Sequence, residues 1–251
     1  MPDITPDQTW DEMFDEIYLT TYALSLRERD SSAEAEAAAR LAGVEPSAHI
    51  LDVPTGFGRH ALPLAKLGFH VTGVDRSGVQ LSKARRIAGE VEWPKWIQAD
   101  FRELPFPDES FDAVLCLFTS IGYRGEESDR GAFGEFLRVL GPGAALVIEA
   151  LHRDRLMTIF QERSWDPLED DAVLLEERRF DYVTGEIETD HTLLSVGERR
   201  GVTFRIRVYT ATELVKLLAE VGFVEIDCFG DFEGGPLSRE TRLVVRARKR
   251  T

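Results

Sequence analysis

The chain has 251 residues, 43% of them hydrophobic, and a formal net charge of −15. This length suits one large α/β domain, or such a domain with a modest insertion. The excess of 45 acidic over 30 basic residues repels a phosphate backbone, which argues against a nucleic-acid substrate. The two cysteines, Cys116 and Cys228, make neither a disulfide framework nor a zinc site, so no metal is expected.

The N-terminus has neither the basic region nor the apolar stretch of a signal peptide. The chain also lacks an apolar run of about 18 residues, the length that a membrane-spanning helix needs. We therefore expect a cytoplasmic protein that does not enter a membrane.

Strands and helices alternate from residue 49 to residue 150. Before them, apolar residues at helical spacing predict a helix over 7–29, and an alanine-rich run behind a Ser31-Ser32 cap predicts another over 33–41. The predicted strands lie at 49–53, 71–75, 96–100, 111–117 and 145–150, and the helices between them at 59–67, 79–88 and 130–140. This alternation predicts a parallel sheet with helices on both faces.

A different pattern follows the fifth strand. Three consecutive strands are predicted at 172–183, 186–196 and 202–209, separated by turns at 184–185 and 198–201. A capping-box pattern from Thr210 to Glu213 then opens a helix over 214–221, and two last strands lie at 224–229 and 243–247. We predict an N-terminal helical segment over 1–45, an α/β domain over 46–164 and 210–251, and an antiparallel insertion over 165–209.

The first predicted strand leads into a glycine turn and a helix, the layout of a cofactor cradle. Gly56 and Gly58 let the backbone approach a ligand, and the helix start offers free N–H groups. Residues 56–61 also fit the dinucleotide pattern, so the turn alone does not decide between cofactors. A pyrophosphate would face Asp52 without compensation, whereas S-adenosylmethionine brings an ammonium and a sulfonium that a carboxylate favours. A helix-capping or turn role is the alternative for Asp52.

Two further acids end the next predicted strands. Asp75 can accept both ribose hydroxyls, which either cofactor offers. Asp100 can accept the adenine amino group while the ring or the backbone of Phe101 borders the adenine; a turn-forming role is the alternative. The combination of Asp52, Asp75 and Asp100 at successive strand ends favours S-adenosylmethionine over a dinucleotide.

These segments, in this order, resemble the motifs of class I S-adenosylmethionine-dependent methyltransferases. The similar segments are 50–60 for the first motif, 71–77 for the second strand, 98–101 for the adenine motif, 111–114 for the fourth strand, 137–144 for the turn before the fifth, and 214–223 for the late helix. The resemblance implies an α/β, Rossmann-like sheet of seven strands with the last one antiparallel, and a branch that acts on small molecules. It implies cofactor contacts from Asp52, Pro54, Gly56, Gly58, Asp75, Arg76, Asp100, Phe101 and Leu117.

The resemblance also raises two questions about single positions. Pro54 stands where the family has its first glycine, and proline has no N–H, so a contact there must use its carbonyl or its ring. In related small-molecule methyltransferases an N-terminal aromatic segment folds over the cofactor. Tyr18 and Tyr22 suit this role because they are i, i+4 neighbours; an amphipathic packing helix is the alternative.

Candidates for the methyl-transfer step follow the fourth and fifth strands. His152 is a candidate general base because histidine titrates near neutrality, and an ordinary structural histidine is the alternative. Tyr123 is a candidate for binding the substrate by a hydrogen bond, with plain packing as the alternative. His60, at the start of the helix after the glycine turn, is predicted to be structural.

The insertion is predicted to be a substrate lid or a homodimer contact. Its arginines, such as Arg205 and Arg207, either hold an anionic acceptor or pair with acids on neighbouring strands, and the balance of acids and bases favours pairing. The sequence thus predicts a methyltransferase that acts on O or N of a small-molecule acceptor. An NAD(P)-dependent Rossmann oxidoreductase and a non-catalytic S-adenosylmethionine-binding protein are the alternatives.

Overall fold

The computed structural model describes residues 29–168 and 171–251 of the chain. Its main sheet contains β1 (His49–Asp52), β2 (His70–Asp75), β3 (Lys95–Gln98), β4 (Phe111–Cys116), β5 (Leu140–Ala150), β10 (Val224–Phe229) and β11 (Leu243–Arg248). The spatial order is β10-β11-β5-β4-β1-β2-β3. Every pairing is parallel except those of β11, which runs antiparallel to both β5 and β10. The predicted Rossmann-like sheet with an antiparallel last strand is confirmed.

Helices cover both faces of this sheet. They are α1 (Ser31–Ala42), α2 (Ala61–Lys66), α3 (Gly78–Ala88), α4 (Glu126–Val139) and α6 (Ala211–Val221). Neighbouring strand residues point to opposite faces. Ile50 therefore packs in a core with the alanines of α1, while Leu51 packs in a second core with Phe133 and Phe136 of α4.

Local capping explains where these helices begin. The side chain of Asp30 accepts hydrogen bonds from the backbone N–H groups of Ser32 and Ala33, both at 3.0 Å, so Asp30 caps α1 rather than the predicted Ser31 and Ser32. The predicted capping box of Thr210 and Glu213 is present at the start of α6. Helix α4 begins at Glu126 rather than at the predicted residue 130, since its first turn is acidic and polar and carries no apolar periodicity.

A second, antiparallel sheet follows β5 and the helix α5 (Arg153–Ile159). Its strands, in order, are β6 (Arg163–Pro167), β7 (Val173–Asp181), β8 (Glu186–Ser195) and β9 (Glu198–Arg207). The sequence predicted neither β6 nor α5, because β6 is mostly exposed and α5 has no buried residue. The predicted turn at 198–201 is wrong, since Gly197 makes the turn and β9 begins at once with exposed, charged residues.

The two faces of the second sheet differ in chemistry. On the inner face, Val202, Phe204, Ile206 and Val208 are buried against one another. On the outer face, Arg179 and Arg205 both pair with Glu188 at 2.6 Å, which is the cross-strand charge pairing favoured by the sequence. Among the residues that the structure describes, no helix is long and apolar enough to cross a bilayer. The helix predicted over 7–29 lies outside the described residues, apart from its last position.

Candidate active site

A cavity opens where the strand order reverses between β1 and β4. Open α/β sheets bind ligands at such a switch point, beyond the carboxyl ends of the strands. The cavity measures about 220 Å³ and is lined by residues 54–57, 59 and 60 after β1, by 117–120 and 123 after β4, and by Leu151 and Ile206. Ile206 belongs to β9, so the second sheet contributes a wall to the cavity at the main sheet.

The glycine turn after β1 is held by hydrogen bonds and by close packing. Asp52 is 2% exposed and accepts a hydrogen bond from the hydroxyl of Thr55 at 2.6 Å; burial raises the pKa of its carboxyl group. Gly58 has a φ of +83°, and a Cβ there would lie 2.4 Å from the ring of Trp96. Glycine at 58 is therefore required by the close approach of a β3 side chain, apart from any need of a ligand.

Asp75 joins the glycine turn to the start of α3. Its Oδ2 accepts the N–H of Gly56 at 2.7 Å, and its Oδ1 accepts the N–H of Ser77 at 2.8 Å. Burial raises the pKa of Asp75 to about 6, and the nearby Asp52 adds to the rise. A carboxylate has about four acceptor sites, so Asp75 keeps the capacity to accept a hydroxyl group.

Asp100 is paired with an arginine that sequence reasoning did not consider. Its two oxygens accept hydrogen bonds from Nε and Nη2 of Arg102 at 2.9 and 2.6 Å, and Arg76 lies 4.0 Å away. Burial would raise the pKa of Asp100, but the hydrogen bonds from Arg102 outweigh it and the pKa is lowered. The ring of Phe101 packs in the core, 6.3 Å from Phe136, so the prediction that this ring borders the adenine is not supported, and a contact through its backbone stays a prediction.

A network of charged side chains closes the cavity on the side of α1. Glu34 pairs with Arg29, Arg59 and Arg242 at 2.6 to 2.8 Å, and His60 lies 3.5 Å from it. Burial opposes ionisation of Glu34, but hydrogen bonds from His60 and Arg29 lower its pKa well below the usual range. The network therefore holds Glu34 as a carboxylate in a setting that is largely shielded from water.

Arg59 has a hydrogen-bonding group that the described residues leave unsatisfied. Its side chain is 9% exposed, and its Nη1 pairs with Glu34. Its Nη2 is buried and has no hydrogen-bond partner among the described residues. The residue lines the cavity, and its guanidinium carbon lies 4.8 Å from the centre of the Phe118 ring. A buried donor without a partner is costly, which suits a site that receives an anionic group from a ligand.

The loop after β4 has a backbone conformation that side chains rarely adopt. Phe118 and Thr119 have φ values of +62° and +54°, which cost about 1–3 kcal/mol each in residues other than glycine. Both are held by Glu149 of β5, whose carboxylate accepts the N–H of Phe118 and whose carbonyl accepts the N–H of Thr119, each at 3.0 Å. The strained segment lies on the cavity wall, where Thr119 and Ser120 add hydroxyl groups.

Asp129 of α4 fixes the far end of the same loop. Both of its oxygens lie 3.0 Å from the backbone N of Gly122, which donates to them, and the hydroxyl of Tyr209 donates to Oδ2 at 2.7 Å. Burial raises the pKa of Asp129 to about 6. This arrangement places Tyr123 in the cavity wall, beside Phe204 of β9 at 6.3 Å between ring centres.

The predicted site residues are only partly brought together. Pro54, Gly56, Leu117 and Tyr123 line the cavity, whereas Asp52, Gly58, Asp75, Arg76, Asp100 and Phe101 lie outside its lining. His152, the candidate base, does not: it is buried, its Nδ1 lies 3.1 Å from the carbonyl of Thr241, and its Nε2 lies 3.7 Å from Asp154. His60, predicted to be structural, lines the cavity instead, together with Arg59. In the sequence, the signal that could have placed these two residues at the site is their position directly after Gly58. Tyr18 and Tyr22 lie outside the described residues.

Comparison with known proteins agrees with this layout. Residues 50–143, from β1 through the glycine turn to the start of β5, match a family model described as a methyltransferase domain. Residues 50–143 form a methyltransferase domain, and the whole fold is that of solved methyltransferases. The match includes the Asp52, Asp75 and Asp100 positions and ends before the second sheet.

Relatives of this methyltransferase domain act on different acceptors. The sterol 24-C-methyltransferase ERG6B of Gibberella zeae is 32% identical over 158 residues, which are 61% of this chain and 39% of that protein. The chain spans 28% to 39% of the lengths of three curated relatives that it matches, two sterol methyltransferase-type proteins and a demethylmenaquinone methyltransferase.

Solved methyltransferase structures match over more of the chain. The CcbJ methyltransferase from Streptomyces caelestis is 26% identical, with a TM-score of 0.73 over 88% of this chain and 90% of that one. CalS10 from Micromonospora echinaspora, an amino pentose methyltransferase solved with S-adenosylmethionine bound, has a TM-score of 0.68 at 23% identity and covers 93% and 97% of the two chains. At that identity the likeness to CalS10 shows the fold alone.

Proposed function

We propose that this protein transfers a methyl group from S-adenosylmethionine to oxygen or nitrogen of a small-molecule acceptor. The observation that carries the proposal is the cavity at the β1/β4 switch point, which joins the glycine turn beside buried Asp52 to a separate wall formed by Tyr123, Leu151 and Ile206. One part of the cavity suits the donor and the other suits an acceptor. A carboxylate buried at the turn also opposes the pyrophosphate of a dinucleotide.

The residues present fit the donor. Asp75 would accept the ribose hydroxyls, and Asp100 would accept the adenine amino group while it stays paired with Arg102. The unsatisfied Nη2 of Arg59 would take the carboxylate at the amino-acid end. We also propose that Tyr18 and Tyr22 cover the donor. No metal-binding group of three or more His, Cys, Asp or Glu side chains occurs within 29–168 and 171–251.

The chain's own contribution to the reaction is mainly positioning. S-adenosylmethionine supplies an activated methyl group on a sulfonium. An in-line displacement then requires the acceptor atom to lie opposite the breaking bond, and correct alignment of this kind can supply effective molarities of about 10⁵–10⁸ M. Hydrogen bonds to Glu149 and Asp129 hold the loop of residues 117–123 in place, which supports a role for this loop in that alignment. A general base is needed only for an acceptor that must lose its proton early.

The second sheet is proposed to act as the acceptor wall, since Ile206 lines the cavity. Its outer face supports a second proposal, a contact between two copies of the chain. Trp165 is 70% exposed there and lies opposite Leu175 on the neighbouring strand. Sedimentation at several protein concentrations checks this, because a dimer that depends on Trp165 would dissociate in Trp165→Glu.

Turnover separates an enzyme from a binding protein. The protein is incubated with S-adenosylmethionine and a panel of small hydroxyl and amine acceptors, and S-adenosylhomocysteine release is measured by a coupled assay. The proposal expects at least one acceptor to raise release above the acceptor-free rate, and Asp75→Ala to abolish the increase. Tight binding of the donor without acceptor-dependent release of S-adenosylhomocysteine would instead favour a non-catalytic S-adenosylmethionine-binding protein.

A further inference from the structure

The acceptor half of the cavity differs in chemistry from the donor half. Given the proposed function, the donor lies over the glycine turn, so the acceptor must approach from the opposite side. That side is formed by Tyr123, Leu151 and Ile206, with the hydroxyls of Thr119 and Ser120 at its edge. Within the described residues, the arginine and the histidine that line the cavity, Arg59 and His60, belong to the donor side, and Tyr123 contributes a phenol to the acceptor side.

The carboxylates nearest this half already have hydrogen-bond and ion-pair partners. The carboxylate of Glu149 accepts the N–H of Phe118 and pairs with Arg29 at 2.9 Å. The carboxylate of Asp129 accepts the N–H of Gly122 and the hydroxyl of Tyr209. Neither residue lines the cavity. A cationic acceptor would therefore find no carboxylate on this wall in the described part of the chain.

The two arginines that flank Ile206 in β9 already have ion-pair partners. Arg207 follows Ile206, but its side chain pairs with Glu213 at 2.7 Å. Arg205 precedes Ile206 and points to the outer face of the sheet, where it pairs with Glu188. An anionic acceptor would thus meet no available arginine from β9.

The side chains packed directly around Ile206 are apolar. Thr189 and His191, buried polar residues of the same face, lie opposite Phe204 and Val202 on β8, and His191 already pairs with Glu176 at 2.8 Å. Ile206 packs with Ile187, Val202, Phe204 and Val208, and Tyr123 and Leu151 pack against this cluster. A charged group placed here would lose its hydration without gaining a partner, which is strongly unfavourable. An apolar surface would instead gain contact area.

We propose that the acceptor is uncharged next to its nucleophile and lays an apolar body against Ile206 and Tyr123. The class is a neutral alcohol, phenol or arylamine, in contrast to the amino pentose named for CalS10. The acceptor's lone pair forms the new bond to the methyl carbon, the electron pair of the broken carbon–sulfur bond goes to sulfur, and the acceptor's proton is released to water. The products are the methylated acceptor and S-adenosylhomocysteine.

Three compounds of one shape but different charge test this directly. Neutral 1-naphthalenemethanol, cationic 1-naphthylmethylamine and anionic 1-naphthoate are titrated into protein saturated with S-adenosylhomocysteine at pH 7.5. We expect the neutral compound to bind at least tenfold more tightly than either charged one. Tighter binding of a charged compound, equal binding of all three, or no binding of the neutral one would overturn the proposal. Binding of S-adenosylhomocysteine itself tests the proposed function separately.

Variants of β9 locate the effect. Ile206→Asp places a carboxylate on the wall. It should lower the affinity for the neutral compound at least tenfold and reduce the ratio of the neutral compound's affinity to that of the cationic one. Arg205→Ala, on the outer face of the same strand, should change neither the affinity for the neutral compound nor this ratio. The affinity for S-adenosylhomocysteine reports whether each variant is folded. If Ile206→Asp does not fold, Ile206→Thr replaces it and should lower the affinity for the neutral compound at least threefold. An unchanged neutral affinity in a folded Ile206 variant would contradict the assignment.

Discussion

The backbone N–H of Arg207 donates to the carbonyl of Gly122 at 2.8 Å, and this bond joins the second sheet to the loop after β4. Ile206 and Tyr123, the neighbours of these two residues in the chain, both line the cavity. The acceptor wall is therefore built from two parts of the chain that are fixed to each other through their backbones.

Gly122→Ala should disturb this junction. Gly122 has a φ of +93°, and a Cβ would lie 2.3 Å from the carbonyl oxygen of Arg207. We expect a loss of unfolding free energy of about 1–3 kcal/mol from the backbone conformation alone, and more from the collision. Thermal unfolding measures it, at roughly 2–4 °C per kcal/mol for a protein of this size.

Gly131→Ala is the matched control. Gly131 lies inside α4, and a Cβ there meets nothing within 4 Å. Alanine in a helix interior is favoured over glycine by roughly 0.5–1 kcal/mol, so this variant should be stabilised. A Gly122→Ala variant that is as stable as the wild type, or more stable, would mean that the Gly122 junction is not rigid.

Arg59→Ala should weaken donor binding through one end of the ligand. Loss of a charged hydrogen bond to the carboxylate predicts about a tenfold or greater fall in affinity for S-adenosylhomocysteine. 5′-Methylthioadenosine lacks the amino-acid end, so its affinity should change less than about twofold. Calorimetric titration of both ligands measures the difference. An equal loss for both ligands would show that Arg59 acts only through the charged network around Glu34.

Two buried histidines, each at the N-cap of a helix, form a matched pair. His60 precedes α2 and lines the cavity, whereas His152 precedes α5 and does not. His60→Gln should therefore weaken S-adenosylhomocysteine binding several-fold, and His152→Gln should leave it within about twofold. The reverse order of effects would restore His152 as the candidate for the site.

Donor binding should weaken in acid because of Asp75. Its pKa is raised to about 6 by burial, and its charged form is the better acceptor for ribose hydroxyls. Protons then compete with the ligand as the pH falls through 6, and the affinity at pH 5 should be about tenfold below its plateau above pH 7. Asp75→Asn should bind weakly at all pH values and lose this dependence. A wild-type affinity that is flat from pH 7.5 to 5 would contradict the role of Asp75.

The sequence predicts those elements whose structure depends on residues close together in the chain. Apolar strands ending in Asp52 and Asp75, and the capping box of Thr210 and Glu213, depend on neighbours in the chain. Exposed β6 and the short α5 carry no such signal. Several contacts at the site join residues far apart in the chain, among them Arg29 with Glu149 and Gly122 with Arg207. Residue type and spacing do not predict these contacts, so the sequence favours His152, whereas the structure places Arg59 and His60 in the cavity wall.

The central claim is that the β1/β4 cavity binds the methyl donor. Isothermal titration of S-adenosylhomocysteine into the wild-type protein at pH 7.5, compared with Asp75→Ala and with NADH as ligand, tests it most directly. The account predicts micromolar or tighter binding of S-adenosylhomocysteine, loss of that binding in Asp75→Ala, and no binding of NADH. Undetectable binding of S-adenosylhomocysteine, or preferential binding of NADH, would contradict it.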